Sequence, residues 1–515
     1  MLKKIFCTIF ILALFCTATD AAAYKAPDMI RVGLYFGSES KSSFTAEADG
    51  KALIGYVQDR DFNPLYTIDE SEVIVEKGGG AYLRTKQSYE TLDEVLLMAK
   101  KLREDDVYAY GAYIDGENYL VFGLYDSVDE AKKSLSDLEF TELELVATEL
   151  DTKAVMVSAK GFNMVFRDDE VSFAIGADEK KTVSVSGREY YGYIVADRIY
   201  SNDIAIINLV SSDDYVACVV GSEMYSTWHI EALKAQAVIA RTYAMTSTSY
   251  KNYGIDVTDD TRSQAYYGLE RETESTRRAA DETSNMILLY KDKPAQTFFY
   301  SSSGGKTADV YSAWGGGAGL DYLKSVDDTY EDSENVGVWS VTYTAEEVAK
   351  KLAAAGVDIG TVTDIKVTER GENDERVRKL VFEGTNGSHT VKFEKCRTIL
   401  GLKSQYYYIR QEYTEEKNIA VLGADGEGAV KLGNISVLSS DKTSQLGGNV
   451  SVLGKNGTQH ISVATEEKKD SFTFDGRGYG HGVGLSQYGA KGMAEAGFKF
   501  DEILFHYYVG TTLSK

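Results

Sequence analysis

The sequence predicts an α+β protein in which a strand-rich domain with a few packed helices follows a small α+β module. Short runs of β-branched and aromatic residues bounded by turn signals, such as VSVSGREYYGYIVA, are typical of strands. Other segments repeat apolar residues every three to four positions, as amphipathic helices do. The chain has 515 residues and only 3 prolines, so it is long enough to form several hydrophobic cores.

Residues 1–23 have the pattern of an export signal. Lys3 and Lys4 provide a positive start, an apolar run continues to Ala18, and Ala21–Ala23 offers a small-residue cleavage site. The apolar run is shorter than the ~20 residues that a membrane span needs. We therefore expect an exported protein, with an uncleaved membrane anchor as the alternative.

Composition excludes two classes of protein. Only Cys218 and Cys396 remain beyond the signal, so a disulfide framework does not stabilise the exported chain. The 79 acidic against 55 basic residues argue against nucleic acid as a partner, because nucleic acid needs a basic footprint. The 36 tyrosines offer flat apolar faces with a polar tip, which suit sugar rings, although β-sheet composition explains most of them.

The first part of the chain divides into two predicted units. Residues 24–84 form a strand-rich segment, and residues 85–150 form a separate α+β module. Within the module, helical periodicity over 89–103 is followed by a strand, turn, strand and helix over 108–138. The stretch YLVFGLYDSVDEAKKSLSDL, residues 119–138, resembles the sporulation-related repeat (SPOR) domains, which bind bare peptidoglycan glycan. A generic α+β module is the alternative.

Two glycine-rich motifs do not fit nucleotide sites. Glycine occupies every second position from Gly476 to Gly484, but Val483 or Leu485 stands where a dinucleotide fingerprint needs its third glycine. The motif SSSGGKT at 301–307 has Tyr300 where a phosphate-binding loop needs glycine. The spacing of two in the first motif predicts a strand, and glycine in a strand marks close approach by another backbone or by a ligand.

The segment 211–245 has the most informative pattern. SSDDYVACVVGSE predicts a short helix capped by Ser212 or Asp213, and a second helix begins beyond Trp228. Glu223 falls at the break between the two helices. Taken alone, such a residue is more often a solvated carboxylate at a helix end than a functional group.

Several ordered motifs together resemble the stage II sporulation protein D (SpoIID/LytB) family. The motif EM-x-S-x-W-x-x-EALKAQAV-x-ARTYA extends from Glu223 to Ala244, and SSSGGKT, YLKSVDD, RTILGLKSQYY, GYGHGVGLSQYGAKGMAEAG and HYYVGT follow in order. The resemblance covers roughly residues 165–515. A β-hairpin insertion is expected near 415–470, because GNISVL recurs there as GNVSVL. The resemblance implies that the strand-rich domain surrounds a glycan cleft to which the glycine run contributes.

The resemblance implies a lytic transglycosylase. Such an enzyme cuts peptidoglycan between N-acetylmuramic acid and N-acetylglucosamine, on strands stripped of stem peptides, in cell-wall remodelling linked to sporulation. The 6-hydroxyl of the muramic acid attacks its own anomeric carbon, so one carboxyl suffices and the product has a 1,6-anhydro end. Glu223 matches the family's catalytic glutamate, and Met224 and Trp228 would form an apolar wall that raises its pKa.

The same resemblance suggests a set of residues that bind the substrate. Lys234 or Arg241 would pair with the lactyl carboxylate of muramic acid, and polar loop groups would bind the sugar hydroxyl and acetamido groups. For His481 the alternative is a structural role, holding a backbone carbonyl across a strand crossing. The full predicted set is Lys234, Gln236, Arg241, Ser301, Ser302, Ser303, Gly304, Gly305, His481, Gln487 and Tyr488.

The sequence departs from the family pattern in two places. Tyr225 follows the Glu-Met pair where the family often has proline. The segments 259–268 and 300–305, in which some members carry Cys and His zinc ligands, contain neither residue type, and the five histidines lack ligand spacing. We therefore expect no zinc and no other cofactor. Cys218 is expected to be a small buried apolar residue and not a nucleophile.

Two further function classes remain open at the sequence level. The LytB branch of the family suggests a glycan-binding protein without catalytic activity that enhances a cell-wall amidase. Such a protein would keep the cleft but would not need the acid, and Glu223 is present. A structural scaffold is the third possibility, and no sequence feature supports it.

Overall fold

The structure is a computed structural model. It describes the chain outside the segments 1–23, 25, 136–142, 151–152, 179–181, 199–201, 333–336 and 515, and within 411–470 it describes only the backbone of the strands. The predicted export signal lies outside the described residues and stays a prediction. None of the described helices is long and apolar enough to cross a membrane.

The chain up to residue 211 forms strands with two helices. In chain order these elements are β1 (Met29–Tyr35), β2 (Ser43–Ala48), β3 (Ala52–Gln58), β4 (Asp61–Ile68), β5 (Glu72–Lys77), β6 (Gly80–Thr85), α1 (Leu92–Glu104), β7 (Ala109–Ile114), β8 (Glu117–Tyr125), α2 (Val128–Ser134), β9 (Leu145–Leu150), β10 (Val155–Ala159), β11 (Phe162–Arg167), β12 (Ser172–Ala177), β13 (Val183–Val185), β14 (Arg188–Tyr190), β15 (Tyr193–Asp197) and β16 (Ala205–Ser211). On β2 the burial alternates from residue to residue, as on a strand with one solvated face.

The predicted module corresponds to a β-α-β-β-α-β unit that begins at Gly80, within β6. Its strands lie in the order β7-β8-β6-β9, and α1 and α2 pack on them through Val95, Ala99 and Ala131. Thr91 caps α1 by accepting a hydrogen bond from the backbone N–H of Glu94 at 3.3 Å. The α+β type of the module is confirmed, whereas its likeness to a SPOR domain stays a prediction.

The middle of the chain is predominantly helical. Its elements are α3 (Ser212–Glu223), α4 (Ile230–Thr246), β17 (Val257–Thr258), α5 (Glu274–Glu282), β18 (Ile287–Tyr290), β19 (Lys293–Pro294), β20 (Phe299–Tyr300) and α6 (Val310–Trp314). The cap of α3 is Ser211, one residue before the predicted position, and its Oγ accepts from the N–H of Asp214 at 3.2 Å. The small residues of α4 let α3, α5 and later helices pack closely around it.

The segment 337–476 forms an inserted subdomain with its own hydrophobic core. Its elements are β21 (Trp339–Thr344), α7 (Ala345–Ala354), β22 (Val362–Arg370), β23 (Val377–Gly384), β24 (Gly387–Lys392), α8 (Lys395–Thr398), β25 (Tyr407–Gly423), β26 (Gly426–Lys431), β27 (Ser436–Leu438), β28 (Thr443–Gln445), β29 (Val450–Gly454), β30 (Gly457–Ile461) and β31 (Thr465–Gly476). Phe382, Tyr407 and Phe474 are central to this core. Both copies of the repeated hexapeptide lead into hairpins, β27–β28 and β29–β30.

The last elements return to the helical region. They are β32 (Leu485–Ser486), α9 (Gln487–Glu495), α10 (Phe500–Tyr507) and β33 (Thr512–Ser514). Helices α9 and α10 pack on α4, β32 pairs with β20, and β33 pairs with β18. Residues near both ends of the chain meet, because the Ser514 hydroxyl donates to the Tyr24 carbonyl at 3.1 Å.

Within the described residues, two large sheets contain the strands up to residue 211, and one of them also includes β17 of the helical region. One has the order β17-β1-β16-β15-β12-β3-β4, and the other has the order β14-β13-β2-β5-β10-β11-β7-β8-β6-β9. The predicted segment 24–84 is therefore not a separate unit, because β1 lies between β16 and β17 and β3 pairs with β12. Likewise, the predicted domain start at residue 165 falls inside β11. The α+β class is confirmed.

Candidate active-site groove

Glu223 is the last residue of α3, and its carboxyl is largely shielded from solvent. Its Oε1 accepts a hydrogen bond from the backbone N–H of Ala265 at 2.7 Å, and its main-chain carbonyl accepts from Nε2 of Gln487 at 3.2 Å. Burial raises the pKa of Glu223 above its ordinary value, and the hydrogen bonds from Ala265 and Gln487 only partly offset this rise. The carboxyl is therefore suited to keeping a proton that a solvated glutamate would lose.

One side of Glu223 opens into a cavity of about 500 Å³, which we name the Trp228 pocket. Its wall carries a row of aromatic rings, with centroids 5.6 Å apart for Tyr225 and Trp228 and 5.0 Å apart for Trp228 and Tyr488. The lining residues are Gly221, Ser222, Glu223, Met224, Tyr225, Ser226, Trp228, Arg271, Thr273, Ser301, Gln487 and Tyr488. Met224 and Trp228 thus lie in the predicted apolar wall beside the acid.

The other side of Glu223 opens into a second cavity of about 380 Å³, the His481 pocket. Glu223, Ser301 and Gln487 line both cavities, so the carboxyl lies where they meet. The remaining lining residues of the His481 pocket are Tyr243, Thr261, Arg262, Ser263, Phe298, Phe299, Tyr300, Trp314, Tyr479, Gly480 and His481. This arrangement lets an extended ligand cross the carboxyl with one part on either side.

The glycine run is not the regular strand that its spacing of two predicted. Positive φ angles recur at every second residue, at Gly478, Gly480, Gly482 and Gly484, and a strand does not alternate in this way. The reason is close backbone approach: a Cβ on Gly484 would overlap the carbonyl of Phe298. The run crosses the segment 298–308 and pairs with it at Ser302, which exchanges two backbone hydrogen bonds with Tyr479.

His481 lies at this crossing and hydrogen-bonds the backbone of both segments. Its Nδ1 accepts from the backbone N–H of Val483 at 3.1 Å, and the ring also hydrogen-bonds the backbone of Phe299. Burial, with the nearby Arg397 charge second, lowers the pKa of His481 to about 3, so the ring is neutral at physiological pH. The imidazole lines the His481 pocket while its nitrogens hold backbone, which favours the structural alternative.

The SSSGG loop presents only its first serine to the cavities. Ser301 lines both pockets, and its carbonyl accepts from the N–H of Tyr488 at 3.0 Å. The buried Ser303 and the next two glycines instead surround the carboxylate of Glu331, whose Oε2 accepts from three backbone N–H groups and from the Ser303 hydroxyl. Ser302, Ser303, Gly304 and Gly305, predicted to bind substrate, line neither pocket.

Three predicted residues on α4 also lie outside both pockets. Lys234 pairs with Glu231 at 3.2 Å and with Glu282. Gln236 is fully buried, and its side-chain amide has no hydrogen-bond partner among the described residues. Arg241 is fully buried and donates to Asp213, at 2.8 Å, and to carbonyls beyond α5. Because these cations are satisfied internally, the structure does not place them against a substrate carboxylate.

The structure adds groove residues that the sequence reasoning missed. The sequence analysis assigned no binding role to the segment 259–268, yet its Ala265 N–H holds Glu223 and its Arg262 lines the His481 pocket. Trp314 and Tyr479 were missed as well, because no local pattern distinguishes them from other aromatic residues. Within the described part of the chain, no group of three or more His, Cys, Asp or Glu could hold a metal ion.

Comparison with known proteins finds similarity in the segment around Glu223. The family model described as SpoIID, stage II sporulation protein, matches residues 200–290, which contain α3, α4 and the loop that holds Glu223. The chain is 29% identical over 336 residues to stage II sporulation protein D of Bacillus subtilis, covering 62% of this chain and 78% of the relative. It is 26% identical over 333 residues to stage II sporulation protein D of Bacillus amyloliquefaciens, with the same coverage.

A further relative, the amidase enhancer of Bacillus subtilis, is 28% identical over 310 residues. That match covers 58% of this chain but only 40% of the length of the relative. The ordered motifs, the family-model match around Glu223 and these relatives agree with one another. Residues 200–290 therefore match the SpoIID family, and the chain is similar over about 60% of its length to relatives named for sporulation and for amidase enhancement.

Proposed function

We propose that this protein is a lytic transglycosylase that cuts peptidoglycan glycan between N-acetylmuramic acid and N-acetylglucosamine. The observation that carries the proposal is the position of Glu223 at the meeting point of two pockets. Within the described residues, Glu223 is the only carboxyl that lines either pocket. A hydrolase needs a second carboxyl as a nucleophile or to activate water. An intramolecular attack by the substrate's own hydroxyl does not.

The carboxyl is arranged for proton transfer in both directions. The Ala265 N–H holds Oε1, so Oε2 carries the proton that is donated to the glycosidic oxygen. As the bond from the anomeric carbon to that oxygen breaks, the 6-hydroxyl of the muramic acid attacks the anomeric carbon. Glu223 then accepts the hydroxyl proton, which closes the 1,6-anhydro ring and restores the acid without adding water.

The walls of the pockets suit sugar rings. Tyr225 is 66% exposed and offers a face continuous with Trp228 and Tyr488 on one side of the acid. Tyr479 is 56% exposed and lies on the other side. Aromatic faces pack against the apolar faces of sugars, and neighbouring hydroxyl and amide groups such as Ser301 and Gln487 supply hydrogen bonds.

Arg271 takes over the anion-binding role first assigned to Lys234 or Arg241. It lines the Trp228 pocket, and its contact with Glu270 is loose, at 3.9 Å between exposed groups. Gly221 allows this placement, because a Cβ there would overlap the Arg271 carbonyl and push the loop away from α3. We assign the lactyl carboxylate of muramic acid to Arg271.

The test compares wild-type protein with Glu223→Gln on glycan strands freed of stem peptides. Glutamine keeps the size and most hydrogen bonds of glutamate but cannot donate the same proton. Removing a positioned acid lowers the rate by ~10²–10⁴-fold, so mass spectrometry should find almost no anhydro-ended fragments from the variant. The variant should still sediment with the glycan. Wild-type activity in Glu223→Gln would refute the assignment.

A second candidate function is enhancement of a cell-wall amidase by glycan binding alone. The observation in its favour is the relative named amidase enhancer. Wild-type protein that releases no anhydro-ended fragments, yet accelerates an amidase on intact sacculi, would establish this function. Glu223→Gln should then accelerate the amidase as well as the wild type does.

We also propose where the protein acts, in which process, and with which accessory module. The lysine-rich start and the Ala21–Ala23 site support export, and N-terminal sequencing of protein from the native host should begin near Tyr24. The relatives named for sporulation support a role in that process. The module at 80–150 is proposed to add affinity for bare glycan, and its deletion should weaken sedimentation with stripped sacculi.

A further inference from the structure

A third cavity of about 470 Å³ lies on the inserted subdomain, and we name it the distal groove. Trp339 forms its floor, with Tyr406 and Tyr408 beside it. The indole N–H of Trp339 donates to the Gly478 carbonyl at 3.1 Å, which fixes the floor to the glycine run. Gly476 makes this possible, because a Cβ there would overlap the Trp339 ring.

The distal groove exposes apolar surface beside a positive charge. Tyr408 is 50% exposed and Val338 is 61% exposed. The guanidinium of Arg477 is exposed, and no hydrogen-bond or ion-pair partner for it is found in the part of the chain that the structure describes. Asp475, in the same lining, is already held by Ser340 at 2.7 Å and by Arg410 at 3.3 Å. Arg370 lies over one face of the Tyr408 ring at 4.5 Å, and the Tyr408 hydroxyl donates to Glu375. The groove thus offers the exposed half of the Tyr408 ring and the Arg477 cation.

The positive charge of Arg477 contrasts with the formal net charge of the whole chain, which is −24. An acidic protein repels anionic ligands at long range, so it must hold them by local cations. An unpaired arginine beside aromatic faces suits a ligand with apolar ring faces and a carboxylate. N-acetylmuramic acid has both, whereas a neutral glycan lacks the carboxylate.

The distal groove lies close to the candidate active site along the glycine run. Arg477 belongs to the distal groove, and Tyr479 and Gly480 line the His481 pocket. The three-residue step from Arg477 to Gly480 can span at most ~11 Å of extended chain. A ligand that leaves the His481 pocket along the glycine run therefore reaches the distal groove within a few sugar units.

We propose that the distal groove is an additional subsite for the same muramic-acid-containing glycan strand. Tyr408 packs against a sugar ring there, and Arg477 pairs with a lactyl carboxylate. This inference rests on the proposed glycan substrate but not on catalysis by Glu223. The groove selects long strands, because a short fragment fills the two pockets beside Glu223 without reaching Arg477.

The test uses the full-length protein with Tyr408→Ala and Arg477→Gln, and the probes are stripped sacculi and a purified glycan tetrasaccharide. Each variant should bind sacculi about five- to ten-fold more weakly in sedimentation, since an aromatic contact or charge-assisted pair contributes on this scale. Binding of the tetrasaccharide should stay at the wild-type level. Tyr311→Ala and Lys350→Gln are the controls, because Tyr311 is also 50% exposed and neither residue lines the distal groove or the two pockets beside Glu223.

Three results would overturn the inference. Sacculus binding at the wild-type level in both variants would remove the subsite. An equal loss for the tetrasaccharide would show that the substitutions disturb the pockets beside Glu223. If the two variants bind glycan normally but no longer stimulate an amidase, the distal groove binds a protein partner instead. If Glu223→Gln retains activity while Tyr408→Ala loses only sacculus binding, the catalytic proposal fails and the distal subsite stands.

Discussion

Two buried glutamates of this protein differ in how many hydrogen bonds they accept. Glu331 directs one oxygen at the SSSGG loop, where it accepts from three backbone N–H groups and a serine hydroxyl, between 2.5 and 3.3 Å away. For Glu223, the carboxyl accepts one backbone N–H, from Ala265, and the cavities begin beside it. The first carboxylate organises a loop, whereas the second keeps an oxygen available for a ligand.

The difference shows that the motifs recognised in the sequence have different roles in the structure. SSSGGKT looks like a ligand loop in the sequence, but three of its residues are used to hold Glu331 inside the protein. Asp328 lies in the same buried region and accepts from the Tyr507 hydroxyl at 2.9 Å. Ser301 of this loop lines both cavities, whereas Ser303, Gly304 and Gly305 line neither.

The largest expected effect is a loss of stability on removal of the Glu331 carboxylate. Glu331→Ala leaves several buried donors at Ser303, Gly304 and Gly305 without their acceptor, and each such group costs ~1–3 kcal/mol. We expect a loss on the order of 3 kcal/mol in the free energy of unfolding, measured by urea denaturation. Glu331→Gln keeps one acceptor oxygen and should lose less. An unchanged midpoint in both variants would contradict the anchoring role.

Shortening the side chain of Glu223 should lower the rate of cleavage and leave the stability unchanged. Glu223→Asp withdraws the carboxyl by one methylene, and a misplacement of ~1 Å at a reacting group costs ~10²-fold in rate. The release of anhydro-ended fragments should fall accordingly, while the urea midpoint stays near that of the wild type. Glu270→Asp is the control, because Glu270 is exposed and lines neither pocket. A comparable rate for Glu223→Asp would mean that Glu223 does not contact the reacting atoms.

Arg271→Gln is expected to have a smaller effect that depends on the ligand. An exposed charge pair contributes ~0.2–1 kcal/mol, so binding of muramic-acid glycan should weaken up to about five-fold. Binding of chitin fragments, which lack the carboxylate, should not change. Arg278→Gln lies outside both pockets and serves as the charge control. An equal loss for both ligands would show that Arg271 supports the groove without recognising the anion.

The smallest expected effect is a dependence of stability on pH. Because the pKa of Glu223 is raised in the folded protein above its ordinary value of 4.5, the unfolded chain loses this proton first as pH rises. The contribution of Glu223 to stability is therefore largest below pH 4.5 and falls until the folded-state pKa is passed. Urea midpoints of wild type and Glu223→Gln should diverge in favour of the variant over this interval. Parallel curves would indicate an unshifted carboxyl.

The sequence predicted the helices around Glu223 well. Apolar spacing is local information, so α3 and α4 lie close to their predicted positions. The match of Glu223 to a long motif selected a residue that lines both pockets, and Gln487 and Tyr488 also line the groove. The catalytic roles of these residues stay predictions until they are measured.

The pairing of distant segments was not predictable in the same way. The strand pattern of β1 does not reveal that its partners are β16 and β17, because sheet order depends on contacts far apart in the chain. Arg241 and Gln236 fit a substrate-binding pattern equally well, and only the packing of α5 shows that Arg241 is enclosed. The glycine spacing indicated close approach correctly but not the positive φ angles that produce it.

The distance in sequence between the acid and its groove has a consequence for the newly made chain. Gln487, which lines both pockets, is added 264 residues after Glu223. A nascent chain that ends within the inserted subdomain therefore contains the acid but lacks one wall of each pocket. If the pockets are required to hold a glycan, as proposed, bond cleavage has to wait until synthesis has passed α9. A chain truncated before α9 should then lack the proposed activity even though it contains Glu223.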